Sequence, residues 1–251
     1  MRNERLEAGD SPAGEDLDAV RSLCWAGVVR GHYKYLRVTV RNGRVRVSVP
    51  LRVSHAALEQ SIESNLTKVA QWVAEQTRAN SERRRNNPFC ADLRDGGHVA
   101  YLGRVLTLAC RPEVDETDLL DKGETLIVRC RPHDTQGLTC EVRLWLAARF
   151  VERLAERMIH WSRHTGLFPQ LVKPSNACGR WGSCTRAGVV RVSWRTICLP
   201  PEVIDYVIVH ELSHLKHFNH STAFWETVRA FYPPADRVRA FLTTVRAEEL
   251  A

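Results

Sequence analysis

Residues 210–214 read His210-Glu211-Leu212-Ser213-His214, and this pentapeptide constrains the chain more than any other feature. Two histidines four apart form one chemical unit only on a helix, where residues i and i+4 share a face with Cβ atoms about 5–6 Å apart. Both imidazoles then reach one metal ion, and the intervening carboxylate reaches a water bound to it. The flanking residues specify such a helix. Pro200 and Pro201 suit a first turn, Glu202 favours the positive end of the helix dipole, and Val203, Ile204, Val207, Ile208 and Leu212 continue an apolar pattern. With ten His and 18 Glu in 251 residues, roughly 0.03 such pentapeptides are expected by chance.

A catalytic metal that keeps one position open needs a third protein ligand. His220, six residues beyond His214, supplies it if the helix ends near His217 and the chain turns at Phe218-Asn219, since Asn tolerates the left-handed conformation. His217 is a rival, but about 10.5 Å of helix rise separates it from His210, too far for one ion on an unbroken helix. Glu226 offers a carboxylate instead, and Phe224 and Trp225 beside it read as core.

The rest of the chain patterns as α+β. From Lys34 to Val49 apolar residues alternate around Asn42-Gly43, a hairpin turn signal. Ser54 then stands as N-cap to a helix reaching about residue 78, with Leu58, Ile62, Leu66, Val69 and Val73 on one stripe. The polar stretch Asn80 to Pro88, with three consecutive arginines, reads as an exposed connection. Val99–Cys110 and Thr125–Cys130 read as strands separated by an acidic loop and a turn at Asp121–Glu124. A helix from about Thr139 to Thr165 follows, with Val142, Leu146, Phe150, Leu154 and Ile159 on one side and Gly166 as its stop. A strand over Ala187–Ile197 precedes the histidine helix, and two short helices begin at Ser221 and after Pro233-Pro234.

Composition narrows the class. Residues 1–20 carry six acids against Arg2 and Arg5, a local charge of −4, so with a net charge of +7 the remainder carries +11. This leader is too poor in apolar residues to order itself. The basic body admits nucleic acid as a partner, although 31 of the 36 basic residues are Arg, a bias that fits genome composition. No run approaches the roughly 20 apolar residues of a membrane span, and the first twenty residues lack a signal peptide's basic start, which predicts a cytoplasmic protein with no membrane partner. The eight cysteines show no C-x-x-C pair and read as small buried thiols, with Cys110, Cys130, Cys140 and Cys198 inside or beside apolar patterns.

Three stretches together carry a family resemblance: Arg180-Trp181-Gly182-Ser183-Cys184, Ile204 through Leu215, and Asn219-His220-Ser221 with Phe224-Trp225. They are similar to the YgjP-like metallopeptidases, relatives of SprT and WLM-type zinc proteases. Over about residues 28–245 the Val-rich hairpin ending in Val49-Pro50 and Tyr101-Leu102-Gly103-Arg104 resemble the family too, with a departure at Cys178-Gly179. The resemblance implies a zincin-like minimal metallopeptidase domain in the second half. It implies Zn2+ held by His210, His214 and His220, with Glu211 as catalytic acid/base. The expected organisation is a disordered acidic leader over 1–20, a small α+β region over 21–135 and the catalytic domain over 136–251.

The leading functional expectation is hydrolysis of a peptide or protein substrate by a metal-activated water, with Glu211 as general acid/base. The strand over Val189–Trp194 reads as an edge on which an extended peptide adds by main-chain hydrogen bonds, at Val190 and Val192, with Arg180 as a clamp for a carboxylate or phosphate. A second reading, attributed to some members resembling YgjP, is a metal-dependent nucleoside triphosphate pyrophosphatase using Arg180, Arg186, Arg191 or Arg195. A third is a DNA-recruited protease or adaptor, suggested by resemblance to SprT and by the basic charge.

Overall fold

The computed structural model describes residues 17–41, 44–120 and 123–251. The fold is α+β, and the chain forms two compact units, Met1–Asn86 and Asn87–Ala251. Most of the acidic leader, the Asn42-Gly43 turn and the Asp121-Lys122 pair lie outside the described residues.

The first unit contains α1 (Leu17–Ala26), β1 (Val28–Gly31), β2 (Arg37–Arg41), β3 (Arg44–Pro50) and α2 (His55–Asn86). Its sheet has the order β1-β3-β2, with β2 antiparallel and β1 parallel to the central strand. The alternation of Val45, Val47 and Val49 buries one face of β3 against Leu58, Ile62, Leu66 and Val69 of α2. Two boundaries differ from expectation. Residues 17–20, assigned to the leader, are the first turn of α1, because Val20 and Cys24 reach this core. Helix α2 continues through the expected connection to Asn86, since no helix breaker interrupts its Arg, Glu, Gln and Ala residues before Pro88.

The second unit begins at Asn87, so residues 87–135, expected with the amino-terminal region, join the histidine helix instead. The reason is a shared core. Val99, Leu106, Leu108 and Leu126 belong to the same buried cluster as Phe150, Val192 and Ile208. Strands β4 (His98–Tyr101), β5 (Arg104–Cys110), β6 (Asp118–Leu120) and β7 (Thr125–Val128) form a sheet of order β4-β5-β7-β6. The expected single strand over 99–110 is a hairpin turned at Leu102 and Gly103, both with positive φ (49° and 77°). A side chain on Gly103 would meet the Pro200 Cα at 3.0 Å, so glycine also lets this turn approach the start of the histidine helix.

Helix α3 (Thr135–Thr165) starts four residues earlier than expected because Asp134 caps it, accepting from the Gly137 N–H at 2.7 Å, and it stops at Gly166 with φ 71°. Its buried stripe ends on Met158 and Trp161; Ile159, expected there, is 54% exposed. Then come β8 (Leu171–Ser175), β9 (Gly182–Cys184) and β10 (Val189–Ser193), followed by a 3-10 turn over Trp194–Cys198 where a continued strand was expected. Helices α4 (Pro201–Ser213), α5 (Thr222–Phe231) and α6 (Ala235–Thr244) complete the unit. The sheet order is β8-β10-β9, so β10 is the central strand. This corrects its assignment as an edge: both sides of β10 are paired, and Val190 and Val192 are fully buried core residues that cannot meet a peptide.

Helix α4 is apolar nearly all round because α3, the β8–β10 sheet, α5 and α6 all contact it. One polar tie fixes it: Asp205 accepts two hydrogen bonds from Arg157 of α3, at 2.6 and 3.0 Å, and one from the Trp161 indole at 3.0 Å. All eight cysteines are free thiols. Five are buried, but Cys140, expected in the core, is exposed on α3. No helix among the described residues is long and apolar enough to cross a membrane.

Candidate metal centre

The last turn of α4 presents His210 and His214, and the chain then turns back so that His220, just before the Ser221 cap of α5, closes on both. Ring centroids are 5.0 Å apart for His210–His214, 5.1 Å for His210–His220 and 4.8 Å for His214–His220, nearly an equilateral triangle. One donor atom from each of the three lies within 4.8 Å of the others. His217 does not join with its ring. Its carbonyl accepts from Nδ1 of His214 at 3.0 Å. A carbonyl only accepts, so Nδ1 carries the proton and Nε2 of His214 keeps its lone pair. Glu226 also lies outside the trio.

The trio fits a metal ion. Nε2 of His210 and Nε2 of His220 face each other at 3.1 Å. Two nitrogens bound at about 2.0–2.1 Å to one tetrahedral ion lie about 3.3 Å apart. Burial, reinforced by His214 and His220, pushes His210 down to about 3, and burial lowers His214 as well. Burial thus favours the neutral form of both imidazoles, the state a ligand requires. Aromatic rings hold this geometry: Phe224 stacks on His214 at 4.5 Å and Trp225 stacks on His220 at 5.6 Å. Phe224 lies in the core and Trp225 packs against it, as expected, and together they wall the three imidazoles.

Glu211 is only 5% exposed, and its Oε2 is buried without a hydrogen-bond partner. Burial pushes this carboxyl up to about 8, with Arg180 opposing the shift. It faces a cleft of about 340 Å³ whose other walls include Arg180, Trp181, Tyr206, Arg239 and Leu242. Gly182 of β9 packs directly on the Glu211 side chain.

The structure therefore brings together His210, Glu211, His214, His220 and Arg180, and excludes Val190 and Val192. Of the four arginines that a nucleotide reading assigns to phosphates, only Arg180 lines the cleft. Arg195 is buried, donating to Asn176 and stacked 4.5 Å over Trp194, and Arg186 lies over the Phe218 ring. Sequence reasoning missed Arg239, which stands on α6 with its guanidinium 4.2 Å above Trp225. It belongs to no local motif, and its only sequence signal is a basic residue on a helix that follows Pro233-Pro234. Strand β9 was missed too, because three residues, Gly182-Ser183-Cys184, carry no periodicity.

A family model described as YgjP-like, metallopeptidase domain matches residues 34–244. Among solved structures, the metallopeptidase zymogen of Pyrococcus abyssi abylysin is similar to 36% of this chain and 92% of its own, at 22% identity and a TM-score of 0.34. No curated protein gives a match.

Proposed function

The chain belongs to the YgjP-like metallopeptidase family, and from this premise we propose a zinc-dependent peptidase in which His210, His214 and His220 hold the ion and Glu211 is the general acid and base. The observation that carries the reading is the convergence of three imidazoles within 4.8 Å next to one buried carboxylate. Three nitrogen ligands suit a four-coordinate zinc that keeps one position open. Bound zinc supplies Lewis acidity to water and to a carbonyl oxygen.

Glu211 takes a proton from the water attacking the peptide carbonyl, then delivers it to the nitrogen of the leaving amine. Its carboxyl is suited to both steps because Oε2 is buried with no hydrogen-bond partner in the protein to give up. His214 stays in the correct tautomer through its bond to the His217 carbonyl. The substrate strand is β9. It is the outer strand of its sheet, and the main-chain groups of Gly182 and Cys184 alternate away from β10. An extended peptide adding there passes the Glu211 carboxylate, against which Gly182 packs.

Chelation tests the proposal. Removing the metal abolishes cleavage of an unfolded protein substrate, and one equivalent of zinc per chain restores it. Undiminished cleavage by protein shown by elemental analysis to be metal-free would overturn the reading.

A further inference from the structure

The two arginines on the cleft walls, Arg180 and Arg239, are not held by a salt bridge, unlike Arg157 and Arg229. Among the described residues no carboxylate lies within ion-pair distance of Arg180 or Arg239. Of the acids near α6, Asp236 accepts from Arg229 at 2.8 and 3.2 Å and acts on Arg239 only through its charge, and Glu202 is 4.0 Å from Arg237. The guanidinium of Arg239 is nonetheless oriented by Trp225, the ring that also stacks on His220. Arg180 enters from another element, two residues before Gly182. Both arginines thus line one largely apolar cleft beside His210 and Glu211, and among the described residues that line it Glu211 is the only carboxylate.

We propose that Arg180 and Arg239 form a subsite for a substrate carboxylate next to the cleaved bond, either the α-carboxylate of a peptide C-terminus or the side chain of Asp or Glu. The inference rests on the peptidase reading and gives it a substrate class. Planar guanidinium groups pair with carboxylates through two parallel hydrogen bonds, stronger and more directional than neutral contacts. The apolar walls supplied by Leu242 and Trp181 exclude water around such a pair. Arg239 is therefore a specificity residue held ready by its aromatic neighbour, and Arg180 couples the subsite to the strand on which the peptide lies.

The test measures binding with full-length zinc-loaded Glu211→Gln protein, by tryptophan fluorescence. The probes are three N-acetylated tripeptides of otherwise identical sequence: one with Glu and a C-terminal amide, one with Gln and a free C-terminus, and one with Gln and an amide. At least one carboxylate peptide binds about 10-fold more tightly than the uncharged one, and which one it is identifies the source of the carboxylate. The ratio falls towards one when Arg180→Met or Arg239→Met is added, while Arg239→Lys keeps part of it; zinc content shows that the site is intact.

Equal binding of all three peptides, or a ratio unmoved by both methionine substitutions, overturns the inference. So does inorganic triphosphate binding more tightly than either carboxylate peptide with loss in the same variants, which assigns the pair to phosphates. The peptidase reading fails separately, if wild-type protein leaves peptides and unfolded proteins intact while the binding ratio stands.

Discussion

A Cβ built on Gly182 stands 2.5 Å from Oε1 of Glu211, and 2.7 and 2.8 Å from its Cγ and Cδ. The outer strand and the carboxylate are therefore in contact along the whole side chain, and only glycine permits it. The Gly182→Ala variant has to push Glu211 aside. A displacement of about 1 Å at a reacting group costs on the order of 100-fold in rate, so peptide cleavage falls by about that factor while zinc content stays at one equivalent. Overpacking lowers stability by about 1–3 kcal/mol. Kinetics and denaturant unfolding of the two proteins check both numbers.

The third ligand separates two histidines three residues apart. His220→Ala removes a ring that faces Nε2 of His210 at 3.1 Å, whereas His217 contributes its main-chain carbonyl. Zinc content measured after dialysis falls sharply in His220→Ala and persists in His217→Ala. The reverse pattern contradicts the assignment.

Much of this site was legible because it is local. The spacing of His210 and His214 needs only helix geometry, and His220 follows from a short turn ended by the Ser221 cap. What was not legible is set by sheet order and tertiary approach. Val190 and Val192 alternate as an edge strand does, yet β8 pairs with β10 in parallel from residues 171–175, a non-local pairing that leaves no signal in the alternation itself. Arg239 reaches the cleft only because α6 packs on α4. The last turns of α2 carry no apolar stripe, so Asn80 to Pro88 reads as a connection, although Glu82 and the three arginines after it are good helix formers.

Stability of the metal-free protein depends on pH with a sign set by Glu211. Burial pushes its carboxyl from 4.5 up to about 8, with Arg180 opposing. Between those values the folded state keeps a proton that the unfolded chain has released, so stability falls as pH rises, by a few kcal/mol in all. His210, pushed from 6.5 down to about 3 by burial and then by its two histidine neighbours, acts in the opposite direction: stability falls as pH drops below 6.5. The window from 6.5 to 8 therefore belongs to Glu211. In urea titrations of chelated protein, the advantage of Glu211→Gln over wild type grows across this window. A constant difference contradicts the buried, unpartnered carboxylate.

The tie between α3 and α4 predicts a stability defect outside the catalytic groups. Asp205→Ala leaves the Arg157 guanidinium and the Trp161 indole without their shared acceptor, at side chains only 17–19% exposed for the ion pair. The expected loss is about 2–4 kcal/mol, with Asp205→Asn intermediate because its amide oxygen still accepts from the indole. Thermal unfolding of the three proteins gives the order wild type, Asn, Ala.

The central claim is that Glu211 moves the proton while the three histidines hold the metal. Cleavage of an unfolded protein by wild type and by Glu211→Gln, each verified at one zinc per chain, tests it most directly. The account predicts that Glu211→Gln retains the metal and loses cleavage by at least about 100-fold, the scale of a lost general acid-base group. Cleavage at the wild-type rate by zinc-loaded Glu211→Gln would contradict it.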